Sequence, residues 1–137
     1  MREFVLDASF TLCWCFEDEA TKATESLLTL LENQEALAWA PGIWQHELLN
    51  GLGKGITRGR LERQKALQLW QEIRELPVRV AEVPIDQELL ELALTHNLAV
   101  YDASYLSLAL ARHLAIATVD GKLQVAARSA GLAVIAA

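Results

Sequence analysis

The amino-acid sequence predicts an α/β domain in which a largely parallel sheet is covered by helices on both faces. Two features of the pattern and one of size carry that prediction. Short apolar runs alternate along the chain with segments of helical periodicity, which is the signature of βα units. Two of those runs end directly in an acid, Leu6-Asp7 and Val119-Asp120, as suits the carboxyl edge of an open α/β sheet. The length of 137 residues, with 53% hydrophobic residues, is enough to bury one core, so a single domain over residues 1–137 is expected.

Residues 3–6 form a short apolar strand, and Glu19–Asn33 places Ala20, Ala23, Leu27, Leu30 and Leu31 at helical spacing. The segment holding Cys13 and Cys15 also reads as helix. Leu37–Ala40 is a second strand, closed by Pro41-Gly42. Ile43–Ile56 and Leu61–Leu76 then read as two helices joined around Gly55–Gly59, a helical hairpin inserted into the alternation. Val78–Val83 alternates and is closed by Pro84. Gln87–Thr95 and Ala103–His113 are helical, Ala115–Val119 is a strand, Lys122–Ser129 is a helix ended by Gly131, and Ala133–Ile135 is a last short strand. No repeat, linker or low-complexity tract interrupts the order.

Composition excludes several classes. The hydrophobic content rules out a disordered tail, and no run reaches the roughly 18 to 20 uncharged apolar residues of a membrane span. The opening Met1-Arg2-Glu3-Phe4-Val5-Leu6-Asp7 meets an acid before a signal peptide's apolar region could form, so a soluble, cytoplasmic protein is expected. Cys13 and Cys15 pair poorly on a helix and have no His or Cys nearby in sequence to complete a zinc site, so both read as buried thiols. The net charge of −6 argues against a uniformly nucleic-acid-binding surface. Its distribution is uneven: Gly51 to Arg79 carries +4 and the remainder −10.

The acids carry the chemistry. Asp7 and Asp120 should emerge on one rim if their strands are neighbours. Asp102 opens the Ala103–His113 helix, and Glu47 lies early in the helix after Pro41. Taken singly, Asp102 and Asp7 read as helix caps and Asp120, before Gly121, as a turn residue. Glu47 sits among apolar residues, where an unpaired carboxylate is costly, so something cationic should compensate it. Four converging carboxylates cannot all stay ionised cheaply unless a cation neutralises them. Mg²⁺ or Mn²⁺ prefers such oxygen ligands and leaves room for a phosphate oxygen and an attacking hydroxide, which suits phosphodiester hydrolysis.

In this pattern the sequence resembles the PIN-domain ribonucleases, and within them the VapC-type toxins of toxin–antitoxin pairs. The residues concerned are Val5-Leu6-Asp7-Ala8-Ser9 running to Trp14, Glu47-Leu48-Leu49-Asn50, Tyr101 to Ala109, and Ala117-Thr118-Val119-Asp120-Gly121-Lys122-Leu123. The resemblance implies a three-layer fold whose five-stranded parallel sheet has the order 3-2-1-4-5. It also implies that Asp7, Glu47, Asp102 and Asp120 surround one or two Mg²⁺ or Mn²⁺ ions, with Asp7 and Asp102 as direct ligands. Ser9, Asn50 and Thr118 then fall where small polar residues orient the acids. The sequence departs from the family at Gly121, where a basic residue is common, leaving Lys122 as the nearest phosphate contact. An RNA substrate, a cognate antitoxin and a homodimer are further implications.

Lys54, Arg58 and Arg60 follow the Glu47 helix and could line a groove leading to the acids, or simply solvate the hairpin. The tryptophans Trp14, Trp39, Trp44 and Trp70 could stack on bases, but packing is the commoner fate of such residues. His46 should point away from Glu47's face and has no catalytic role. Two other function classes compete: a PIN-fold binding module with vestigial acids, and a phosphoacceptor receiver domain. The second requires a mid-chain strand ending in Asp, whereas the third strand here ends in Glu82-Val83-Pro84.

Overall fold

The computed structural model describes residues 1–136. Five strands, β1 (Arg2–Leu6), β2 (Ala36–Pro41), β3 (Val78–Ala81), β4 (Ala115–Ala117) and β5 (Val134–Ile135), form one parallel sheet in the order β3-β2-β1-β4-β5. Seven helices flank it: α1 (Ala8–Leu12), α2 (Lys22–Glu32), α3 (Ile43–Thr57), α4 (Arg63–Arg74), α5 (Gln87–His96), α6 (Val100–Arg112) and α7 (Gly121–Ser129). This is the α/β fold and strand order expected.

Successive residues of a strand face opposite sides of a sheet, yet Phe4, Val5 and Leu6 of the central strand are all fully buried. Both faces of β1 are therefore covered, which is why its sequence is a continuous apolar run instead of an alternation. Helix α6 packs along β1, β2 and β4 and brings Tyr105, Leu106 and Ala109 into the core. The inserted hairpin is real: α3 meets both α1 and α4, and Gly59 makes the turn between α3 and α4 at φ +73°.

Local chemistry sets several boundaries. A reciprocal capping box opens α2, with the Thr24 N–H donating to Thr21 Oγ1 at 3.2 Å and the Thr21 N–H to Thr24 Oγ1 at 2.8 Å. Asp86 caps α5 by accepting from the Leu89 N–H. Two expectations shift. Helix α6 begins at Val100 after an Ala99 cap that makes no side-chain bond, so Asp102 lies inside the first turn and does not open the helix. Strand β4 stops at Ala117; the Thr118 N–H still donates to the Ile135 carbonyl, and beyond it the Val119 N–H turns to Ser9 Oγ and the Asp120 N–H to Thr118 Oγ1. Among the described residues no helix is long and apolar enough to cross a membrane.

The cysteines are free and buried, as read from sequence, although they follow α1 and do not lie within it. The tryptophans hold structural contacts. Trp44 is buried and donates to Thr11 Oγ1, and Trp14 donates to the Thr24 carbonyl. Trp39 bonds Glu3 and lies beneath Arg112, whose guanidinium carbon is 3.4 Å from the ring centroid. Trp70 packs against Arg74.

Candidate functional site

The parallel register that pairs Leu6 with Ala117 brings the ends of β1 and β4 side by side. The Asp7 N–H extends that pairing by donating to the Ala117 carbonyl at 3.0 Å. Asp7 is only 4% exposed and occupies the position before α1, but its carboxylate does not cap that helix. Instead Oδ2 accepts from Ser9 Oγ at 2.6 Å and from Thr118 Oγ1 at 2.7 Å. The same two hydroxyls accept from the Val119 and Asp120 N–H groups. One small network thus wires the residue after β1 to the segment after β4. Both hydroxyls fall on Oδ2, so among the described residues Oδ1 takes no side-chain donor.

The other three acids reach this rim from helices. Asp120 is the N-cap of α7 and accepts from the Lys122 N–H at 2.9 Å, so its reading as a local cap or turn residue holds geometrically. Asp102 lies in the first turn of α6, where the positive end of the helix dipole favours it. Glu47 comes from the second turn of α3 and is half-buried. No cationic side chain pairs with it among the described residues, and the Tyr105 hydroxyl donates to Glu47 Oε1 at 2.6 Å.

The four carboxylates lie within electrostatic reach of one another. Burial pushes Asp7 above the ordinary carboxylate range, its two hydroxyl bonds pull it back, and the charge of Asp120 pushes it up again. Glu47 is raised by burial against the Tyr105 bond, with further upward pressure from Asp7, Asp102 and Asp120. Asp102 is raised by burial, then by Asp120 and Asp7, and Lys122 opposes. Among the described residues the ion pairs join Arg60 to Asp18 and Glu19, and none involves these four acids.

An all-oxygen donor set that repels itself and is paired with no cationic side chain among the described residues fits a hard divalent cation. Among the described residues no three His, Cys, Asp or Glu side chains stand close enough to form a ready cage. Mg²⁺ keeps several waters and needs only one or two carboxylates directly.

The auxiliary and basic residues sort themselves by position. Ser9 and Thr118 touch Asp7 directly. Asn50 is exposed, one turn beyond Glu47 on α3. Lys54 and Arg58 lie within about 20° of Glu47 around the axis of α3 at 100° per residue, so they extend its stripe away from the site. Lys122 lies near enough to lower Asp102. Arg60, expected along the same groove, is held by Asp18 and Glu19 at 2.9 Å each and stacks on Phe16. His46 reaches back toward the Gly42 carbonyl, consistent with no role in the acidic cluster. A groove of about 840 Å³, walled by Pro41, Ile43, Val83 and Ile85, also includes His46 and Tyr101, the chain neighbours of Glu47 and Asp102.

Sequence reasoning gave Tyr105 no role. Its signal was present, since a tyrosine one turn after an acid on an otherwise apolar helix face must find a partner for its hydroxyl when buried.

Among solved structures, the chain is similar to the crystal structure of PAE2754 from Pyrobaculum aerophilum, with a TM-score of 0.76 over 98% of this chain and 84% of that one. At 22% identity this is a likeness of fold. No curated protein matches the sequence. Residues 4–129 match the PIN domain family, and the chain therefore belongs to that family, whose members are typically nucleases.

Proposed function

We propose that this protein is an endoribonuclease dependent on Mg²⁺ or Mn²⁺, acting as the toxin of a VapBC-type toxin–antitoxin pair in the cytoplasm. The observation that carries the reading is the acidic rim itself: Asp7, Glu47 and Asp102 are each held above the ordinary carboxylate range by burial and by neighbouring acids, and no cation of the chain pairs with them or with Asp120 among the described residues. When bound, a divalent ion supplies a nucleophile from water at neutral pH and offsets charge on the scissile phosphate. Asp7 and Asp102 would hold it, with Glu47 and Asp120 completing the set. Ser9 and Thr118 fix the Asp7 carboxylate so that it need not reorganise during the reaction. Asn50 lies beside Glu47 as a further polar group. Lys122 meets the phosphate at the rim, and Lys54 and Arg58 attract the RNA strand along α3. A homodimer would place two such sites together, and a cognate antitoxin would cover them.

The test is endonucleolytic cleavage of structured RNA by the antitoxin-free protein in Mg²⁺ or Mn²⁺, compared with Asp7→Asn. Cleavage by the wild type alone is expected, and equal rates in both proteins refute the reading. The wide spacing of the acids supports one alternative, a catalytically weak PIN-fold module that acts by binding RNA or protein. That alternative predicts no Mn²⁺-linked rise in melting temperature, where the nuclease reading predicts one.

A further inference from the structure

The Tyr105 hydroxyl is unlike the other contacts of the acidic rim. The ring is fully buried within α6, the hydroxyl crosses to α3, and the bond it donates to Glu47 Oε1 is 2.6 Å long. Asp102 and Tyr105 are three residues apart on α6, hence on one face of the helix, so a single helix supplies both an acid and the strut that orients a second acid. The donor is also neutral. An Arg or Lys at this point would orient Glu47 by cancelling its charge, whereas a phenol has one proton to give and leaves the charge in place. Glu47 Oε2 receives no side-chain donor among the described residues, the same division seen at Asp7, where Oδ2 takes both hydroxyls and Oδ1 none.

We infer that Tyr105 is a positioning residue that ties one oxygen of Glu47 so that the carboxylate offers a divalent cation a single oxygen. This rests on the metal-dependent reading above and deepens it. Two carboxylates whose hydroxyl donors all fall on one oxygen each suit a small octahedral ion that keeps its waters. They disfavour Ca²⁺, which tolerates bidentate carboxylates and higher coordination numbers.

The test is Tyr105→Phe, which keeps the buried ring and removes the hydroxyl, studied by calorimetric titration of the metal-free protein with Mn²⁺ and with Ca²⁺. Glu47 is half-exposed, so water can replace the lost donor there, but the buried Ala8 N–H also loses the hydroxyl as acceptor, and the melting temperature of the metal-free variant should fall modestly. Mn²⁺ affinity should fall about 10-fold, the lower end for removing a group that orients a ligand. Ca²⁺ affinity should fall less or rise, so that the Mn²⁺/Ca²⁺ preference narrows. Glu47→Gln separates the roles, because its amide oxygen still accepts from Tyr105 while the charge is gone; it should lose Mn²⁺ affinity without any gain for Ca²⁺. An unchanged Mn²⁺/Ca²⁺ ratio in Tyr105→Phe, with or without a drop in melting temperature, overturns the positioning role alone. Failure of the wild type to bind Mn²⁺ overturns the metal-dependent reading and this role together.

Discussion

Replacing Asp7 by Asn should make the metal-free protein more stable while abolishing its response to metal. The carboxylate is buried, and ionising it there costs several kcal/mol even after relaxation, say about 4. Ser9 and Thr118 offset part of that through bonds of 2.6 and 2.7 Å to Oδ2. Charge-assisted bonds are worth about 2 kcal/mol each and roughly halve when the acceptor becomes a neutral amide oxygen, so the substitution gives back about 2 kcal/mol. The net gain is then about 2 kcal/mol, or about 6 °C in melting temperature for a chain of this size. Differential scanning calorimetry in EDTA at pH 7.5 measures it, and a second scan with Mn²⁺ should reverse the order. Because Asp7 holds its proton more tightly folded than unfolded, its ionisation removes stability as pH rises from about 4 through the raised folded value. The advantage of Asn should therefore shrink as pH is lowered toward that limit. An Asp7→Asn variant no more stable than wild type in EDTA at pH 7.5, or a gap that widens on acidification, would refute this account of the site.

Further outcomes follow from the same network and its surroundings. Thr118→Val keeps the buried shape but removes a donor to Asp7 and the acceptor for the Asp120 N–H; it should cost about 1.5–3 kcal/mol in denaturant unfolding and weaken Mn²⁺ binding at least 10-fold. Arg60→Ala should leave the KM for RNA unchanged, because that guanidinium is already taken by Asp18 and Glu19; a several-fold rise in KM would place it in the substrate path. Lys122→Ala should raise that KM and reduce its salt dependence, read from cleavage rates across a salt series. Arg112→Ala should lose about 0.5–1 kcal/mol by thermal unfolding through the missing stack on Trp39, with cleavage unaffected.

The sheet and most helix cores were legible because hydrophobic periodicity is a local property: Phe4 to Leu6 reads as a doubly covered strand, and the Ile43 and Arg63 helices read as a hairpin. The start of α6 was not, because Ala99 offers no capping side chain and the helix is held by packing on three strands instead. The end of β4 was misplaced for a related reason. Val119 has strand propensity, but its N–H and that of Asp120 turn to the hydroxyls of Ser9 and Thr118. At the site, the convergence of four acids could be anticipated from strand ends and helix starts. The partners of those acids could not. A cap was the local expectation for Asp7, whereas a hydroxyl 111 residues away takes its carboxylate, and the donor to Glu47 lies 58 residues off.

The central place of β1 has a bearing on how the chain is made. Its first edge can pair once Ala36 to Trp39 has left the ribosome, but its second waits for Ala115 to Ala117. Long-range parallel pairing of this kind is slow to form. Thr118 and Asp120 lie still later, so a nascent chain short of them carries Asp7 with the Ser9 hydroxyl but without that of Thr118 and without the acid that faces it. The acidic rim is assembled only by this long-range pairing, so Asp7 and Asp120 cannot act together before β4 has docked on β1.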